Sequence, residues 1–161
     1  MNSRPDIARH QSGVILLEAL LAILIFSLGI LALVGLQAAA VKQSADAKYR
    51  TEAALLTNEV IGQMWVSDRT TAVLEANFES PGGAAYNNWL ARVGGVLPVA
   101  PVANVAGANC PTPAPTITID PAGIATAGTA TVTVFWRAPN EPLDVNCLPA
   151  PHSYVAIAQI R

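Results

Sequence analysis

Gly13-Val14-Ile15-Leu16-Leu17-Glu18 opens a run in which no charged residue occurs from Ala19 to Val41. That run is about 23 residues, enough for a helix to cross a hydrocarbon core of ~30 Å. The one acid at its head, Glu18, is costly there. An ionised carboxylate at the centre of a membrane helix costs about 2.5–3.5 kcal/mol on insertion scales, and such groups pair or serve a function. Ahead of Gly13 stands a short polar leader, Met1 to Ser12, with Arg4 and Arg9. An ordinary secretory signal has its cleavage site after the apolar core. Here the small residue precedes the core, so cutting at Gly13 removes the leader and leaves the hydrophobic helix on the chain. An uncleaved signal anchor is the alternative reading of the same residues. Charge does not orient the span, because Lys42, Lys48 and Arg50 follow it as Arg4 and Arg9 precede it.

Behind Val41 the apolar run turns amphipathic without a break. Ala45, Tyr49, Ala53, Leu56, Val60 and Met64 recur at steps of three and four, with polar residues filling the remainder. Asp46–Arg50 and Lys48–Glu52 are opposite charges four apart, each worth a few tenths of a kcal/mol. No proline occurs between Val14 and Val66, so one helix from Val14 to about Trp65 is expected. Gly29 and Gly35 weaken it by about 1 kcal/mol each against alanine, or permit close packing in a membrane. From Ser67 the pattern changes. Asp68 to Glu75 extends or restarts the helix, Ser80-Pro81-Gly82-Gly83 is a turn, and Asn87 to Val93 is a short helix ended by Gly94-Gly95. Pro98 to Pro115 reads as irregular. Strands are expected at Thr116–Ile119, ending at Asp120-Pro121, at Ala130–Trp136 and at Tyr154–Ile160. The fold class is α+β: a long N-terminal helix packed on a small antiparallel sheet of about three strands. The expected divisions are a leader at 1–13, a membrane half-helix at 14–41, an amphipathic half at 42–66 and a globular domain at 67–161.

The 161 residues leave room for one domain beyond the span. Loss of Arg4, Arg9 and Asp6 with the leader leaves 7 basic and 10 acidic side chains. With no basic run, the electrostatic footprint of a nucleic-acid binder is absent from the sequence. Nothing resembles a catalytic constellation. His152 follows Pro151 on an expected surface turn, and its neighbour Ser153 does not make a triad. No metal spacing or phosphate-binding glycine loop occurs, so no enzyme activity and no cofactor are expected. Cys110 and Cys147 enclose a loop of about 38 residues. In an exported protein such a pair favours a disulfide worth about 4 kcal/mol on the chain-entropy model, with two buried thiols as the alternative. That bond would tie two loops at the sheet's margin.

A basic leader, Gly13, an apolar residue and Glu18 at the fifth place, running into one long helix, resemble the type III signal of type IV pilins. Val14 and Ile15 stand where that family more often has Phe or Met, then Thr or Ser. Finer likeness is to the PilV-type minor pilins. It lies in Leu28 to Gln37, in Glu52 to Met64 with Trp65 to Arg69, and in Trp89-Leu90-Ala91-Arg92. Gly94 to Pro98 and Val132 to Arg137 extend it. It is dense over Gly13 to Arg69 and sparse through the loops. The resemblance implies a pilin fold and cleavage between Gly13 and Val14 by a prepilin peptidase, with N-methylation of Val14. It further implies a role for Glu18 in assembly, a C-terminal domain outside the inner membrane, and a Cys110–Cys147 loop of the kind many pilins carry. The partners it implies are other minor and major pilins and the inner-membrane assembly machinery. A minor pseudopilin of a type II secretion system is the alternative within the same signal. A signal-anchored adhesin or enzyme is the alternative outside it.

Overall fold

The computed structural model describes residues 12–124, 127–139 and 141–160. The leader arginines Arg4 and Arg9 and the tip of the Gly123–Gly128 turn lie outside the described residues. Three helices, α1 (Ser12–Val66), α2 (Thr71–Phe78) and α3 (Ala84–Val96), come first. Five strands follow: β1 (Val102–Ala103), β2 (Asn109–Cys110), β3 (Thr116–Ile124), β4 (Ala127–Trp136) and β5 (His152–Ile160). The chain divides into two compact units, one ending at Ser44 and the other beginning at Ala45.

The first unit holds the apolar part of α1. Its Leu and Ile side chains are exposed throughout, as expected of a segment whose neighbours are lipid or other chains. Its composition and length suit it to span a membrane. An alanine-sized side chain at Gly29 or Gly35 would meet no atom within 4 Å, so nothing among the described residues requires glycine there.

In the second unit α1 buries the expected face: Ala53, Leu56, Val60 and Met64 are enclosed, and Tyr49 packs against the same core. Thr57 is buried beside them although polar, because its hydroxyl donates to Ala53 O at 2.6 Å within the helix. Lys48 and Glu52 pair at 3.8 Å. The Asp46–Arg50 pair does not close, and a carboxylate oxygen of Asp46 has no hydrogen-bond partner.

α1 stops at Val66, and the next helix restarts at Thr71 instead of continuing. Ser67 turns its hydroxyl back onto Met64 O, and Asp68 accepts the Thr70 amide at 3.0 Å. That hydrogen bond holds the Asp68 carboxyl below its usual range. Between α2 and α3 the chain turns so tightly that a Cβ on Gly83 would lie 2.1 Å from Asn77 O, so only glycine fits. α3 begins three residues before the expected Asn87 and runs through Gly94 and Gly95 instead of ending there. The helix penalty of two glycines, about 1 kcal/mol each, is offset by burial of Val93 and Leu97, whose backbone groups close the last turn at 2.8 Å.

Trp89 anchors α3 to α1. It is fully buried, its indole N–H donates to Leu56 O at 2.8 Å, and the Tyr86 ring sits 6.2 Å away. Arg92 of α3 also pairs with Glu59 of α1. Tyr86 donates its phenol to Pro115 O at 2.8 Å, and burial pushes its ionisation above the ordinary value.

β3, β4 and β5 form an antiparallel meander with β4 in the centre. Ile117, Ile119, Ala130, Val132, Val134, Trp136 and Ile160 point inward onto the helices. β3 passes Asp120-Pro121, where an end was expected, and continues to Ile124 with a register shift between Pro121 and Ile124. Proline is tolerated there because β3 is an edge strand and the shift marks a bulge. The Pro98–Pro115 stretch, expected to be irregular, contains the β1–β2 pair, with Val102 opposite Cys110. Asn104 makes the turn: its side-chain oxygen accepts the amides of Ala106 and Ala108, and Gly107 takes φ +79°.

Candidate functional site

Val14, Ile15, Leu16 and Leu17 occupy the start of α1, one helical turn ahead of Glu18, and all are exposed. α1 begins at Ser12, so Gly13 and Val14 belong to the same helix as Glu18. The backbone nitrogen of Val14 and the side chain of Glu18 are four residues apart, about 6 Å along the axis. Glu18 is exposed, with Leu17, Leu20 and Leu21 around it also more than half exposed. A free amine at Val14 would therefore lie within one turn of a carboxylate on an otherwise apolar surface. Chemically, such an amine would place a cation and an anion at fixed axial spacing, with no competing polar group among Ile15, Leu16 and Leu17.

The second feature is the disulfide-closed loop. Cys110 and Cys147 are joined, with Cα atoms 5.5 Å apart. Cys110 ends β2 instead of lying in a free loop, and is fully buried. Cys147 adopts φ +62°, a left-handed conformation rare for residues other than glycine. Asp144 makes that turn possible. Its carboxylate accepts the amides of Asn146 and Leu148 at 2.8 Å each, and its backbone carbonyl accepts that of Cys147 at 3.0 Å.

Beneath this loop lies a buried cation that the sequence reading passed over. Arg137 is almost wholly enclosed, and its guanidinium donates to Pro149 O at 2.8 Å and Cys147 O at 3.3 Å. Its backbone amide reaches Pro98 O at 3.1 Å, so one residue ties the connection after α3 to the one between β4 and β5. The available signal was an arginine directly following the apolar strand Val132–Trp136. Glu141, also buried, faces His152 with Oε1 3.4 Å from Nε2. His152 begins β5 and stacks on Trp136 at 5.8 Å, so it is not the free turn histidine expected. Successive strand residues face opposite ways, which separates His152 from Ser153. Among the described residues, no group of three His, Cys, Asp or Glu side chains could hold a metal ion. No family model, curated protein or solved structure matches the chain.

Proposed function

We propose that this protein is a minor pilin of a type IV pilus, a non-enzymatic subunit that takes part in priming filament assembly. In this reading prepilin peptidase cuts between Gly13 and Val14 and methylates the new amine. The apolar part of α1 holds the subunit in the inner membrane, the second unit lies in the periplasm, and the subunit passes into the pilus with other minor and major pilins.

The observation that carries the reading is Glu18 alone on an uncharged helical surface, one turn after Val14 at the Gly13 junction. An acid on a membrane helix with no partner among the described residues calls for one from another subunit, and the amine created by cleavage has the right charge and reach. The disulfide supports placement of the second unit in an oxidising compartment. Intact mass of the membrane-extracted protein is the test. In a cell with active prepilin peptidase the chain should begin at Val14 and carry one added methyl group; retention of Met1 to Gly13 would refute the proposal.

A further inference from the structure

The two edges of the three-stranded sheet are treated differently. At the β3 edge, Ser80 caps both backbone groups of Ile117: Ser80 N donates to Ile117 O at 3.0 Å, and Ile117 N donates to Ser80 Oγ at 3.1 Å. Asp120 and Pro121 follow on the same strand, a charge and a missing donor. These are the devices by which an edge is kept from pairing with another chain. β5, the opposite edge, has none of them. From His152 to Ile160 it carries no Lys, Arg, Asp, Glu or Pro.

The cap on Ile117 also fixes which backbone groups of β5 are open. In an antiparallel ladder the N–H and C=O of one residue point to the same side. Ile117 points both at Ser80, away from β4, so its partner Val132 points both at β5 and bonds with Ala156. The β4–β5 register is unbroken from Trp136↔His152 to Gly128↔Ile160. Tyr154, Ala156 and Ala158 therefore face β4, and Ser153, Val155, Ile157 and Gln159 direct their N–H and C=O groups outward. Among the described residues, no hydrogen bond reaches these outward groups. The side chains of the same residues lie on the sheet's outer face, with Val155 52% and Ile157 69% exposed. Opposite them stand Thr133 and Thr131 of β4.

We infer that the β5 edge is a strand-addition site, and that it takes an extended, uncharged segment of a different protein with β-branched or apolar residues at alternate positions. Four outward amides and four outward carbonyls, regularly spaced, are complementary to an extended backbone and to no helix or charged ligand. The uncharged strand excludes segments that would need a counter-ion, and Val155 and Ile157 supply apolar neighbours for the incoming side chains. The guarded β3 edge prevents a second copy from offering its own sheet in a head-to-tail array. One added strand covers far less than a standard interface of ~1,600 Å², so the contact is weak by itself and suits partners held together by other means. This inference does not rest on the pilus reading, and its test needs no filament.

Amide hydrogen exchange of the full chain in lipid nanodiscs tests it. The probe is a capped, uncharged peptide copying Thr129–Phe135, the strand β5 already accepts on its other side. At about ten times its Kd, the peptide should slow exchange at Ser153, Val155, Ile157 and Gln159 about tenfold. The protection of Tyr154, Ala156 and Ala158 should not change. Ile157→Lys places a charge on the edge, and Ile157→Pro removes an outward donor without costing a ladder bond. Both should abolish the slowing while native exchange in β3 and the disulfide persist. Absence of slowing, or its survival in both variants, would overturn the inference. So would edge amides already protected in the chain alone: independent of concentration, this means a closed edge, and rising with concentration, it means a second copy fills it.

Discussion

Trp89 shows what one side chain contributes to this small core. It fills the space between α3 and α1 with zero exposure, and it also satisfies a polar contact by donating to Leu56 O. Replacement with Phe removes that hydrogen bond and part of the ring volume, at a cost of about 1–3 kcal/mol; Ala should cost about 3–5 kcal/mol. Unfolding of the detergent-solubilised protein by denaturant measures both. Equal stability of Trp89→Phe and the parent would mean that the indole nitrogen is better served by water than by Leu56. Arg137 differs in being a buried cation, held by carbonyls instead of a carboxylate. It orders the chain around Cys147 and Pro149 through directed hydrogen bonds, and its Nε has no hydrogen-bond partner.

At the scale of elements, the loop before β5 is held three ways. The disulfide joins it to β2, Asp144 folds it internally, and Arg137 binds its carbonyls. Asn104 adds a bond to Val145 O at 3.2 Å. Because these hydrogen bonds survive reduction, breaking the disulfide should lower stability by about 2–4 kcal/mol without unfolding the sheet. Cys110→Ser, Cys147→Ser and the double variant should all be destabilised, since each lacks the same crosslink, and the two that replace Cys110 more so because the new hydroxyl there is buried. Unfolding with and without reductant checks this: a parent protein indifferent to reductant would show that the loop is held by its hydrogen bonds alone.

For the whole molecule, the proposed pilin reading gives Glu18 the task of aligning one subunit with the next. Leucines slide along one another at little cost, whereas a carboxylate in an apolar surface recovers part of its several-kcal/mol penalty only where a cation meets it. A neighbour's Val14 amine at that position would both favour docking and set the axial register. Glu18→Leu should therefore leave membrane abundance and leader cleavage intact while lowering co-purification with other pilins severalfold. Normal co-purification at normal abundance would make Glu18 a tolerated membrane acid and nothing more.

Features that depend on near neighbours in the chain are legible in the order of residues alone. The apolar run after Gly13, the buried stripe Ala53–Leu56–Val60–Met64 and the alternation of Val132 and Val134 are periodic, and periodicity is local. The same reasoning found all three strands of the main sheet, whereas the cysteine pair was expected from cysteine number in an exported chain. Contacts between residues distant in the chain are set by folding and are not visible in local pattern. The β1–β2 pair depends on Asn104 folding back on Ala106 and Ala108. The persistence of α3 through Gly94 and Gly95 depends on a core that receives Val93 and Leu97. His152 leaves its expected turn because Trp136, opposite it on β4, offers a face to stack on. Arg137 is buried because carbonyls from Cys147 and Pro149, ten and twelve residues away, arrive with the right orientation. Burial of a charge is settled by such partners and not by the residue type, so no reading of spacing could have found it.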